Sequence, residues 1–120
     1  MKIEELLRLK NILFEESNKL SQLKGRGYGT ESDTLLNLKL VEYAGVVDSE
    51  TGAWVRLSDK VMRLGRILKH GEEFVGFEGF VDTVIDGINY LTMIVALRYE
   101  KDEKFREKFD KMFGGGVANG

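Results

Sequence analysis

The chain has 120 residues, 42% apolar and 32% charged, with a formal net charge of −2. That suits one globular domain with its own core, and favours neither nucleic acid nor an anionic membrane as the main partner. Cysteine is absent, which excludes disulfides, thiolate zinc sites and cysteine nucleophiles and fits a reducing compartment.

Proline is also absent, glycines fall mostly between periodic segments, and no sustained two-residue alternation is bounded by turns. The expected fold class is therefore all-α, a bundle of four to five helices. The opening Met1-Lys2-Ile3-Glu4-Glu5 is charged and moves straight into a helical pattern, unlike a signal peptide. The expected location is the cytoplasm of a cell or of an infected host.

The first helix is expected over 2–24, with Leu6, Leu9, Ile12, Leu13, Leu20 and Leu23 on one face. Glu16 falls inside that face while Glu15 points away from it. Such a Glu is either a boundary residue that snorkels to water or a member of a site. Gly25-Arg26-Gly27-Tyr28-Gly29 reads as a flexible turn, since it lacks the Lys-Ser/Thr ending of a phosphate-binding loop. A second helix is expected over 34–43, capped by Ser32 or Asp33 and closed by Gly45. Its Leu35, Leu36, Leu38 and Leu40 leave little polar circumference, so it is buried or partnered.

The third helix is expected to begin near Thr51 or Ala53, after a Ser49 cap, and to end at His70-Gly71. Trp54, Leu57, Val61, Leu64 and Leu68 form its expected core stripe. Lys60 and Arg63 adjoin that stripe, near Arg56 and Asp59, and either stay solvated or reach inward to anionic groups. His70, the only histidine, is accounted for by its place at the negative end of the helix dipole.

The fourth helix, expected over 77–97, is nearly apolar yet carries Glu78, Asp82, Asp86 and Asn89 and no Lys or Arg. Its flanks Glu72 and Glu73 are acidic as well. At about 100° per residue the four polar side chains share an arc of roughly 80°. Carboxylates stacked on a greasy helix repel one another and resist desolvation unless a positive partner sits opposite. A divalent cation is the simplest such partner, and the same carboxylates argue against a transmembrane span. A fifth helix over 101–113 has Phe105, Phe109, Met112 and Phe113 as its apolar edge, and packs on its own domain or on a second subunit. The domain is thus expected over 1–113, with a disordered tail over 114–120. The apolar faces of the second and fifth helices favour a homodimer or higher homo-oligomer.

The acidic stripe has a definite chemistry. Mg²⁺ takes oxygen ligands, commonly one or two carboxylates completed by waters and substrate phosphates, with Mn²⁺ as an alternative. Glu78, Asp82 and Asp86 stand one turn apart, so neighbours can share an ion, and Asn89 adds an uncharged oxygen or a donor. With Lys60 and Arg63 opposite, a phosphate chain bridges metal and cations, the usual layout for phosphoryl chemistry. The competing explanation is that the carboxylates pair with Lys60, Arg63 and Arg56 across a helix interface and fix register without metal. Other chemistries lack parts: a Ser-His-Asp site needs His70 on a charged helix end, and zinc lacks ligands.

Three stretches carry a family resemblance: Lys24-Gly25-Arg26-Gly27-Tyr28-Gly29; Asp59-Lys60-Val61-Met62-Arg63-Leu64; and Glu78-x-x-x-Asp82-x-x-x-Asp86-x-x-Asn89-Tyr90. Over about 13–97 the chain resembles the all-α nucleotide pyrophosphohydrolases of the MazG and dimeric dUTPase group, nearest to the phage-type branch associated with nucleotide modification. The first stretch has one residue more between Lys and Tyr than that pattern. The resemblance implies a MazG-like helical bundle that assembles as dimers or tetramers. It implies Mg²⁺-dependent hydrolysis of a (deoxy)nucleoside triphosphate to monophosphate and pyrophosphate.

By the same resemblance Glu78, Asp82 and Asp86 match the metal-ligand helix, with Glu78 and Asp82 as the catalytic pair. Asn89 matches the nucleotide-contacting position, and Lys60 and Arg63 the phosphate-contacting helix. One departure stands out. Members carry Glu-Glu-x-x-Glu on an earlier helix, whereas this chain reads Glu15-Glu16-Ser17-Asn18-Lys19. Glu16 then stands alone as the ligand from that helix, or metal is held more weakly. The rival expectation is a non-catalytic helical oligomer that binds a nucleotide or another protein.

Overall fold

The computed structural model describes residues 1–28, 35–71 and 76–114, with backbone alone at 24–28 and 37. Among these residues the chain is all-α: α1 (Ile3–Tyr28), α2 (Leu36–Tyr43), α3 (Ser49–His70), α4 (Gly76–Lys101) and α5 (Glu103–Phe113). Ser32, Asp33, Thr34, Glu72, Glu73 and the tail over 115–120, all named above, lie outside the described residues, as does Gly29.

α4 is the axis of the bundle: α1, α3 and α5 all pack on it, and α2 packs on α3. By length and composition α4 could also cross a membrane. In this fold it buries Thr83, Ile85, Asn89, Tyr90, Met93 and Leu97. The main core forms where α2, α3 and the C-terminal half of α4 meet, from Leu38, Ala53, Leu57, Tyr90, Met93 and Leu97. Ala53 is fully buried, and its small side chain lets the helices approach. A clasp of charges closes this end. Glu50 accepts from Arg98 Nη2 at 2.8 Å and lies 3.4 Å from Lys101 Nζ. Lys39 pairs with Glu100 alongside.

Several elements depart from the sequence expectation. α1 continues to Tyr28 through Gly25 and Gly27, where a turn was expected. Glycine weakens a helix by roughly 1 kcal/mol per residue but, unlike proline, leaves the hydrogen-bond ladder intact. α3 is capped by Asp48, not Ser49: the Asp48 carboxylate accepts from the Thr51 amide at 2.9 Å. Ser49 is buried as the first helical residue. α3 also turns a different stripe inward. Ser49, Ala53, Leu57 and Ile67 are buried, whereas Trp54, Val61 and Leu68 are 59%, 58% and 71% exposed. Both stripes satisfy helical periodicity; the one with the small residues packs closest. α5 packs on its own domain, with Phe109 edge-on to Tyr99 at 5.7 Å and Tyr99 Oη donating to Asp110 at 2.9 Å. That bond holds the phenol above its ordinary pKa.

Only the C-terminal half of α1 joins the bundle. Ser17 is buried and Leu13 and Leu20 are half-buried, while residues 1–12 are exposed throughout.

Candidate functional site

The polar stripe of α4 faces two different helices. Asp82 and Asn89 turn towards α1, and Asp86 turns towards α3. The division follows from the turn angle: Asp86 is displaced about 40° from Asp82 around the axis, and Asn89 about 20° the other way.

On the α1 side, Glu16 and Asp82 line one cleft of about 230 Å³ with Lys19, Leu20, Leu23 and Ile85. Glu16 and Asp82 are 66 positions apart in the chain, and the packing of α1 on α4 brings them to the same opening. Lys19 Nζ lies 3.2 Å from Glu16 Oε1, so the cleft contains a cation of its own. One turn along, Asn89 is 4% exposed, and its Oδ1 accepts from Ser17 Oγ at 2.5 Å and from Ser21 Oγ at 3.0 Å. These bonds lock α1 to α4 beside the cleft. Ser17 and Ser21 were not among the sequence candidates. Their signal was present: two small polar residues four apart, set among Leu13 and Leu20.

On the α3 side, Lys60 Nζ approaches Asp86 Oδ2 at 3.3 Å, with the two side chains 31% and 18% exposed. Lys60 therefore reaches the acidic stripe. Arg63, one turn further on, is exposed, as are Glu78 and Asp82. Asp82 thus lines an open cleft, and Asp86 stands in an ion pair. His70 is exposed at the last turn of α3.

Among the described residues no three acid or imidazole groups converge as a metal cage. The donor set fits a different arrangement. Two carboxylates on opposite walls of a solvent-open cleft match the one or two that Mg²⁺ accepts when waters and phosphate oxygens complete its shell. Glu16 and Asp82 are the carboxylates that line this cleft; Glu78 stands one turn before Asp82 on α4. Asp86 is engaged with Lys60.

No family model, no curated protein and no solved structure matches the chain.

Proposed function

We propose that the α1–α4 cleft binds a Mg²⁺-complexed (deoxy)nucleoside triphosphate and hydrolyses it to monophosphate and pyrophosphate, in the manner of the MazG-like enzymes that the sequence resembles. What supports this most is the meeting of Glu16 and Asp82 across one cleft, since the resemblance assigns metal contact to both helices. Mg²⁺, or Mn²⁺ in its place, would supply charge neutralisation of the phosphates and polarisation of the attacking water.

The chain's own residues have separable tasks in this reaction. Glu16 and Asp82 would hold the cation. The oxygen of water attacks the α-phosphorus, and the bond from that phosphorus to the bridging oxygen breaks. A carboxylate of the Glu78–Asp82 pair accepts the water's proton and passes it to solvent. Lys19, in the cleft itself, supplies positive charge for the departing pyrophosphate; Lys60 and Arg63 stand on the α3 side of the stripe and take part where the phosphate chain extends past Asp82 to Asp86. Lys60 is already held at the stripe by Asp86, so that charge costs little ordering on binding. Asn89 is held between Ser17 and Ser21 and fixes the cleft walls; any nucleotide contact uses the face of its amide left free by those two bonds.

The deciding experiment is pyrophosphate release from a panel of ribo- and deoxyribonucleoside triphosphates with Mg²⁺ or Mn²⁺. The expected result is equimolar monophosphate and pyrophosphate from at least one substrate, with Asp82→Asn slower by about 100-fold or more. No release from any substrate, under either metal, rejects the enzyme.

A second reading rests on the Lys60–Asp86 pair, with no three-acid cage among the described residues. In it the stripe fixes helix register in a non-catalytic oligomer that binds a nucleotide or a protein. Thermal melts separate the two. The enzymatic reading expects Mg²⁺ to raise the wild-type midpoint and not that of Asp82→Asn. The second expects no metal effect, and a higher midpoint in Asp82→Asn as repulsion along the stripe is relieved.

A further inference from the structure

The charges around the α1–α4 cleft are few and of both signs. Among the described residues its lining carries Glu16 and Asp82, each negative, and Lys19, positive, beside Leu20, Leu23 and Ile85. Two negatives and one positive leave the lining at −1. One divalent ion turns that to +1, which suits a polyanionic substrate. A second ion would turn it to +3, with no further carboxylate of this lining to hold it. Asp86 is not at hand for the purpose, being engaged with Lys60.

Lys19 also stands in the region that a second ion would occupy. Paired ions at a phosphoryl-transfer centre lie about 3.5–4 Å apart. An ion bound to Glu16 would sit about 2 Å from a carboxylate oxygen. Lys19 Nζ is 3.2 Å from Glu16 Oε1, and the i,i+3 spacing on α1 keeps the two side chains on one face. An ammonium is a compact point charge with three donors and no acceptor, so it binds phosphate oxygens and never ligates a metal. The Lys19 side chain is 70% exposed, so it can turn from Glu16 to a phosphate without disturbing the packing of α1.

We propose that Lys19 takes the place of a second metal ion, so that the cleft holds one divalent cation per chain. This rests on the proposed nucleotide-hydrolysing role of the cleft and adds the number of ions and the residue that sets it. Part of the counter-charge for the phosphates is then built into α1, and only the remainder arrives as metal.

The test counts ions on the full chain. Mn²⁺ is titrated into the protein, and unbound Mn²⁺ is read from its electron paramagnetic resonance signal. Lys19 is exposed, so its substitution spares the fold. The wild type and Lys19→Arg are expected to bind one Mn²⁺ per chain, and Lys19→Glu two. Lys19→Gln should still bind one, roughly three- to tenfold more tightly, because a repelling charge a few ångströms away is gone. Asp82→Asn should bind none. Two ions in the wild type overturn the proposal, as does a single ion in Lys19→Glu or an unchanged affinity in Lys19→Gln. Each of those results leaves pyrophosphate release standing as a separate question. A wild type that binds no Mn²⁺, or an Asp82→Asn that still binds one, overturns the proposal and removes the metal from this cleft as well.

Discussion

Asn89 joins α1 to α4 through one oxygen shared by two serine hydroxyls, at a position almost closed to water. Removing it leaves the buried Ser17 hydroxyl without an acceptor, and an unsatisfied buried donor costs more than a hydrogen bond contributes. Asn89→Ala is expected to lose about 1–3 kcal/mol in urea unfolding. Ser17→Ala in that background should add less than it does alone, because the two side chains share one bond. Equal, additive losses would show that the joint is not a unit. Asp48 makes a second residue-scale case. The hydrogen bonds from Thr51 hold its carboxyl below the ordinary carboxylate range. A depressed folded-state pKa means that the cap stabilises α3 above the unfolded value of 3.8 and fades as pH falls through the folded one. Melts at a series of pH values should therefore show Asp48→Ala below wild type at neutral pH and converging with it in strong acid. Asp48→Asn, which caps without titrating, should remain above Asp48→Ala throughout.

At the scale of the elements, two glycines in the interior of α3 differ only in what stands opposite them. Gly65 meets open space, whereas a Cβ on Gly52 would lie 2.9 Å from Val41 Cγ2 of α2. Gly65→Ala is expected to raise stability by about 0.5–1 kcal/mol, the helix gain from losing a flexible residue. Gly52→Ala should lower it by about 1 kcal/mol or more, because valine is stiff at χ1 and α2 must move aside. Thermal melts of the pair decide whether α2 really lies this close on α3. The same contrast explains the inward stripe of α3. Gly52 and Ala53 let α2 and α4 approach, so the bulkier Trp54 and Val61 are left outside.

For the molecule as a whole, the proposed function depends on how α1 is divided. Its C-terminal half carries Glu16 and Lys19 to Asp82, and its N-terminal half leaves the bundle as an apolar arm. In the proposed activity the C-terminal half is the part that serves the cleft. Pyrophosphate release tests that role.

Composition and periodicity were enough to establish an all-α chain and to mark most of its helices. Those features are local: a 3.6-residue repeat and the absence of proline act within a few turns of the chain. The polar stripe of α4 was legible for the same reason, since its spacing alone aligns Asp82, Asp86 and Asn89. Which helix each of them meets was not legible. Asp82 facing Glu16, Asp86 paired with Lys60, and Asn89 bound to Ser17 and Ser21 all depend on the rotation of packed helices about their axes. α3 shows why: two of its stripes were equally periodic, and only close packing against α2 and α4 chose between them. Local pattern determines that a helix has a face, and tertiary packing decides what that face touches.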